Sequence, residues 1–546
     1  MPRLARRTFL TQLGAAAMLT PLLAACQQQA APAGTQPSGS GSQSAPAQTG
    51  AGTKPAAAPA KPAAGGELRV ALESDVVTLD PPMFTDVYSN YVSSQIHETL
   101  FQVDHDMKIV PMLAEKLEQP DDKTYVITLR KGVKFHNGED LTADDVKFTY
   151  ARVMDPATKS PRANNLTDAV ESPDKIEVVD PSTVKITLKG PFAPFHERMT
   201  AGALQILNKK AVEAAGADYA HKPVGTGPFK YVEWKTGEYA KLERFDGYGG
   251  EKAKLDRVTF RPIPDNNTRM AELESGGIDF MSPIPFEEIE GLKKAGKFDV
   301  QVTDAINISY MAYNTQKAPL NDANLRRAMN YAIDKQEIVE TIYVGLGAVA
   351  ITPLNPSNWA HNPNVEPYKY DPTKAKELLK QSAYKGESLE LAFNQAGEGP
   401  KLAERIQAQL KENLAINLTL KPMEWGAFLT YIRGGDQHQM FLLGWSGNAD
   451  PDSILYPLFH SKNLGAAGNR AFFRNDKVDE LLLKAQTTVK QEDRKPLYLE
   501  AQDIILKEAP WATIRHGIHS AALSKKVQGF KLHPLNRQLY HNVTVQ

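Results

Sequence analysis

Between Gln27 and Ala64 the chain has no aromatic and no large aliphatic side chain, and its only charges are Lys54 and Lys61. Ala, Pro, Gly, Ser, Thr and Gln cannot bury enough surface to offset the entropy of ordering them, so residues 27–65 read as a disordered tether. With roughly 40 residues, its typical end-to-end reach is about 35 Å. Folding therefore has to start beyond it, near Gly65-Gly66-Glu67. The only cysteine of the 546 residues, Cys26, lies before it. That excludes disulfides, thiolate-type structural zinc and thiol redox chemistry from anything that folds downstream. The stretch Gly66–Gln546 must be held by its core alone, and it is longer than one core usually serves, so two or three domains are expected.

The residues before the tether give an address. Arg6-Arg7-Thr8-Phe9-Leu10 opens a mildly apolar stretch that closes on Leu22-Leu23-Ala24-Ala25-Cys26. A positive start, a short apolar middle and small residues before a cut read as an export signal over residues 1–26. The ending resembles a bacterial lipoprotein cleavage box, with Cys26 as the lipidated residue. The arginine pair resembles a twin-arginine export signal. Thr11, Gln12 and Gly14 make the apolar stretch too polar and too short to remain as a membrane span. Loss of residues 1–26 takes away Arg3, Arg6 and Arg7 and no acid, so the net charge of −1 becomes −4. A mildly acidic chain without a basic block is not built for duplex nucleic acid.

Within the body, strand-like and helix-like patterns alternate. Glu67–Leu72, Tyr125–Leu129, Val184–Leu188 and Ile416–Leu420 show the two-residue period of strands. Thr142-Ala143-Asp144-Asp145 opens a helix with a capping-box-like start that Asp155-Pro156 ends. Leu325, Met329, Ala332 and Ile333 form a helical stripe, and Asp334 caps a second helix that stops at Gly345. Asp371-Pro372 begins another helix, and Leu402, Ile406 and Leu410 line one more. Such alternation argues for mixed α/β lobes.

A search for reaction chemistry finds little. There is no phosphate-cradling Gly-x-x-x-x-Gly-Lys run, no dinucleotide glycine fingerprint and no His-Glu-x-x-His helix. Gly225-Thr226-Gly227-Pro228 fails as a phosphate loop because proline removes an amide. Gly444-Trp445-Ser446-Gly447-Asn448 fails as a nucleophile elbow because Asn448 stands where a second glycine must allow the tight turn. His516 and His519 are close in sequence but have strand-like neighbours, so no metal site and no cofactor are expected.

One set of segments is far more specific. Pro111–Leu117, Thr124–Gly138 and Leu141–Val146 are followed in order by Pro223–Phe229, Leu273–Asp279, Leu325–Asp334, Tyr370–Ala375 and Gly444-Trp445-Ser446. Together they resemble the peptide/nickel/opine family, family 5, of extracytoplasmic solute-binding proteins that serve ABC importers. The likeness extends over essentially all of Gly66–Gln546. It implies an α/β, two-lobed periplasmic-binding-protein-like fold of the large, three-subdomain type, with a ligand cleft between the lobes. The first lobe is expected at 66–308 with 527–546 returning to it, and the second at 309–526.

The resemblance also implies a site. Gly444, Trp445 and Ser446 match a segment that offers backbone groups to an extended ligand, and Trp425 matches an aromatic pocket wall. Val87 and Tyr88 match a first-lobe segment lying along the ligand. Met281, Ser282 and Tyr310 lie near the expected lobe junction. Peptide-binding relatives place an amine-pairing aspartate at the position of Asn448, and an amide oxygen supplies no compensating charge. Asp450 or Asp452 could supply it. The expected function is a lipid-anchored, monomeric receptor that closes on a small peptide-like solute and delivers it to an ABC permease without catalysing a reaction. An oligosaccharide or other non-peptide solute is the alternative within the family, as is a metal-chelate or haem-type ligand. From another class, an exported glycosidase-type hydrolase would use Asp450 and a second carboxylate.

Overall fold

The computed structural model describes residues 65–395, 397–435, 437–465 and 468–546. Cys26, the export signal and the 27–64 tether lie outside the described residues. Two large sheets organise the body. The first has seven strands in the order Phe298–Asp304, Ile518–Ser524, Phe280–Met281, Glu67–Leu72, Arg257–Pro262, Tyr239–Arg244 and Phe229–Lys235. The second has six: Ala348–Val349, Trp511–His516, Asn307–Tyr313, Met440–Ser446, Leu389–Asn394 and Leu418–Met423. Each sheet is the centre of one lobe.

A third layer stands beside the first sheet. Strands Ala114–Asp121, Thr124–Leu129, Thr183–Thr187 and Ile176–Asp180 make an antiparallel sheet in that order. The helix Ala143–Met154 closes over it, burying Val146, Tyr150 and Val153 against Ile127, Val184 and Ile186. The capping box forms as the sequence requires: the Thr142 N–H donates to Asp145 Oδ2 at 3.0 Å. The Asp334 carboxylate likewise accepts the Glu337 N–H at 3.0 Å, and that of Asp371 accepts the Lys374 N–H at 2.9 Å. One strand starts later than its alternation suggests. The helix Gly399–Leu414 ends with Ala415 at φ 55°, and the Ile416 N–H bonds back to Leu410 O at 3.2 Å. Ile416 is thus spent closing a helix, and the strand runs from Leu418 to Met423.

The chain passes between lobes twice. Ala305-Ile306 leads out of the first sheet, and Gly517 leads back into it, because Ile518–Ser524 pairs with Phe298–Asp304. The sequence reading put the return at 527; sheet membership puts it at Gly517. The crossings are bonded to each other: the Ala305 N–H donates to Gly517 O at 3.0 Å, and the Gly517 N–H to Asn307 Oδ1 at 2.7 Å. A Cβ on residue 517 would stand 2.7 Å from Arg515 Nη2 and 2.9 Å from Asn307 Oδ1, so a side chain here would push those two termini aside. Beyond it the tail covers the first lobe, with Phe530 and Tyr540 buried edge-on against Phe280.

Candidate functional site

The second-lobe wall of the cleft begins in the strand Met440–Ser446, held antiparallel to Asn307–Tyr313 with Trp445 opposite Ile308. After it the chain turns sharply, and one serine organises the turn. Ser453 Oγ accepts the Asn448 N–H at 2.8 Å and donates to Asp450 O at 2.7 Å, while its carbonyl accepts Trp445 Nε1–H at 3.2 Å. Gly447 fits because a Cβ there would meet Ile454 Cδ1 at 2.5 Å. Asp450 then anchors the turn from below. Its carboxylate takes Arg494 Nη1 and Nη2 at 2.7 and 2.8 Å, and its Oδ1 also accepts the Asp452 N–H at 2.9 Å. Arg494 gives two further hydrogens to Ala485 O and Tyr498 Oη. Burial opposes the Arg494 charge, but the Asp450 carboxylate more than offsets it and raises the guanidinium above its ordinary value.

The first-lobe wall is built differently. The short helix Phe195–Arg198 buries Phe195 edge-on against Tyr125, 5.0 Å between centroids. Phe195 and Met199 share the core-facing side, so Glu197 and Arg198 turn toward the cleft. Arg198 donates to Asp168 Oδ2 at 2.9 Å and to Asn164 O at 2.8 Å, and its Nη2 stands 3.9 Å from Asp452 Oδ2. Nearby, Arg162 bonds Thr85 O at 3.1 Å.

The two walls touch at several places, the 3.9 Å Arg198–Asp452 pair among them. The Asp450 N–H donates to Glu197 Oε1 at 2.8 Å, and the Ala193 N–H to Gln486 O at 2.7 Å. Between the walls lies a cavity of about 710 Å³, within the range of small-molecule sites. Both signs of charge line it: Arg162, Arg198 and Arg433 against Asp168, Glu197 and Asp452. Two of its acids are unusual. Burial, and after it the negative charge of Asp450, pushes the Glu197 carboxyl well above its usual range and Asp452 up to about 7.

Of the residues the sequence singled out, Trp445, Ser446, Asn448 and Asp452 line this cavity, and Gly444 precedes them on an exposed part of the same strand. The others sit elsewhere. Asp450 lies behind the wall with both carboxylate oxygens committed to Arg494. Met281 is fully buried between sheet and helices of the first lobe, and Tyr310 is stacked flat on Trp511 at 3.6 Å; both fill core rather than cleft. Ser282 is enclosed, and its Oγ has no hydrogen-bond partner. Tyr88 Oη donates to Glu73 at 3.0 Å, and Val87 is 52 % exposed at the start of the helix Val87–Ile96. Neither borders the cavity, although Thr85 just before them holds Arg162, which does. Trp425 stands exposed at the start of the helix whose last residue, Arg433, lines the cavity. Glu197 and the three arginines were not foreseen. Pro194-Phe195-His196-Glu197-Arg198 carries clustered charge beside apolar residues, but four helical residues give no periodicity to read. Among the described residues no group of three or more His, Cys, Asp or Glu could hold a metal ion, and no helix is long and apolar enough to cross a membrane.

Comparison with known proteins agrees with this architecture. The profile of the bacterial extracellular solute-binding proteins, family 5 middle, matches residues 108–466. The glutathione-binding protein GsiB of Salmonella choleraesuis is 36 % identical over 481 residues, 86 % of this chain and 93 % of that protein. Among solved structures, the ABC transporter-associated periplasmic binding protein DppA of Helicobacter pylori, in complex with the peptide STSA, superposes with a TM-score of 0.78. It is 33 % identical, and the match covers 88 % of this chain and 98 % of that one. The ABC transporter substrate-binding protein CtaP of Listeria monocytogenes superposes with a TM-score of 0.81 at 28 % identity, covering 88 % and 99 %.

Proposed function

Since the chain belongs to the family 5 bacterial extracellular solute-binding proteins, we propose that it captures a short zwitterionic peptide in the cleft and delivers it to an ABC permease. The observation that carries this reading is the cavity, whose walls come from both lobes and present three arginines and three acids. A peptide of two to four residues carries an ammonium at one end and a carboxylate at the other, which suits a site with both signs. Arg162 and Arg433 would take carboxylates; Trp445, Ser446 and Asn448 would lie along the backbone. Arginine suits the first task because its planar fork matches a carboxylate. The relatives named for glutathione and crystallised with STSA support the same class of ligand.

The protein acts outside the cytoplasm, as its family does. The sequence around Cys26 supports attachment by lipid on that residue, with the tether letting a monomeric body reach its permease. A tethered partner is met at high local concentration, so docking need not be tight. Ligand preference for the closed arrangement of the lobes would supply the signal. No reaction is assigned to the protein: Asp450, the residue a hydrolase would need, is neutralised by Arg494 and does not face the cavity.

Thermal shift and calorimetry with dipeptides, trialanine, Ser-Thr-Ser-Ala, reduced glutathione and small oligosaccharides test this. A peptide present at a hundredfold its Kd should add about 2.7 kcal/mol of stability and be recovered intact. Binding of sugars alone, or turnover of a bound compound, overturns it.

A further inference from the structure

We propose that the second lobe carries a separate binding site for a small apolar monocarboxylate, a carboxylate head on a hydrocarbon or aromatic tail, with the Lys335 ammonium as its counter-ion. The site shares no lining residue with the cleft cavity, so it stands whatever the cleft binds.

A cavity of about 320 Å³, at the lower end of the range of small-molecule sites, lies at the start of the helix Lys335–Ile342. Its walls are largely apolar. Val349, Ala350 and Ile351 come from the edge of the second sheet and just beyond it, and Pro367, Tyr368 and Tyr370 precede the helix Pro372–Lys380. The Tyr368 ring is held in place: its hydroxyl donates to Leu506 O at 2.7 Å, and Tyr331 meets it edge-on, 4.9 Å between centroids.

Lys335 also lines this cavity and is only 5 % exposed, yet no carboxylate pairs with it among the described residues. Its ammonium makes one hydrogen bond, to Asn330 Oδ1 at 3.4 Å, and stands 5.8 Å from the centre of the Tyr368 ring. An ammonium has three hydrogens to place, and neither contact brings the negative charge that a buried cation demands. The nearby acids are engaged otherwise. Asp334 accepts the Glu337 N–H as the helix cap, and the Glu337 carboxylate takes Arg405 Nε at 2.7 Å and Gln409 Nε2 at 2.9 Å. Burial, with no charge of the chain to offset it, pulls the Lys335 ammonium down to about 7.

Cavity and cation together describe the ligand. A single buried cation calls for a single negative charge, and the N-terminal end of the helix favours the same sign. Apolar walls call for an apolar tail. A phosphate or dicarboxylate would set a second charge against those walls, and a free amino acid would bring a second cation. The other lysine of the lining, Lys369, is exposed to solvent.

Calorimetric titration with benzoate and with benzamide, its uncharged counterpart, tests the assignment, and crystals grown with 4-bromobenzoate locate the acid through the anomalous signal of bromine. The wild type should bind benzoate at least about tenfold more tightly than benzamide, the scale of a charged hydrogen bond. The bromine should lie in the cavity beside Tyr368. Lys335→Met, which keeps the length and removes the charge, should bring acid and amide to within about threefold of each other. Val349→Trp, which fills the cavity and leaves Lys335 in place, should abolish binding of both. Each variant is checked for a cooperative melt. A wild type that binds benzoate no better than benzamide overturns the proposal, as does bromine found only in the cleft. A preference that survives in Lys335→Met overturns it too. Should that variant not fold, Val349→Trp decides, and benzoate bound there as tightly as by the wild type overturns the site.

Discussion

The two walls of the cleft do opposite things with charge. On the second-lobe side, Asp450 is gripped by Arg494 and the turn is stitched through Ser453, so charge is spent on holding shape. On the first-lobe side, a four-residue helix carries Glu197 without a cation bonded to it, and burial favours its protonated form. Asp450 and Asp452 show the same contrast two residues apart. The lesson is that acid content alone does not locate a recognition group: what matters is whether a cation already satisfies it.

The strongest way to break this contrast is to unmake the clamp. Arg494→Leu should cost about 3–5 kcal/mol in urea denaturation, because it strands the buried Asp450. Replacing both partners, with Asp450→Asn added, should recover a good part of that loss.

A smaller effect should come from pH. Asp452 titrates at about 7 in the folded chain, above the ordinary carboxyl value of 3.8. The folded state therefore binds more protons than the unfolded one between those values, and stability falls as pH rises through that window. From pH 5 to 7 the empty protein should lose about 2 kcal/mol from this group. Asp452→Asn should flatten that slope; an unchanged slope would remove the distinction between the two aspartates. Ser453→Ala should cost about 1 kcal/mol by freeing the Asn448 N–H, measured by the same denaturation. Least of all, Val87→Ser, exposed and away from the cavity, should shift stability by no more than about 0.5 kcal/mol.

These differences also explain what could be read from the chain itself. Elements with strong local rules were legible: the box at Thr142 and Asp145, the caps at Asp334 and Asp371, and the alternation in Glu67–Leu72. The strand-borne wall was legible too, because Gly444-Trp445-Ser446 is a contiguous motif. Glu197 was not, since the backbone it meets is 253 residues away and no local pattern announces it. Met281 and Tyr310 were misplaced because an alternating strand looks the same whether its inner face meets core or ligand. The return crossing was placed late for a related reason. Trp511–His516 and Ile518–Ser524 are near-continuous in sequence and differ only in which sheet they join.

That last arrangement has a mechanical consequence. Two crossings bonded side by side, through Ala305, Asn307 and Gly517, act like paired pins on one door. A hinge gathers its backbone rotation in a few residues, and these are the ones both crossings offer. Any turn of one lobe against the other then loads both crossings at once, at Ala305, Asn307 and Gly517.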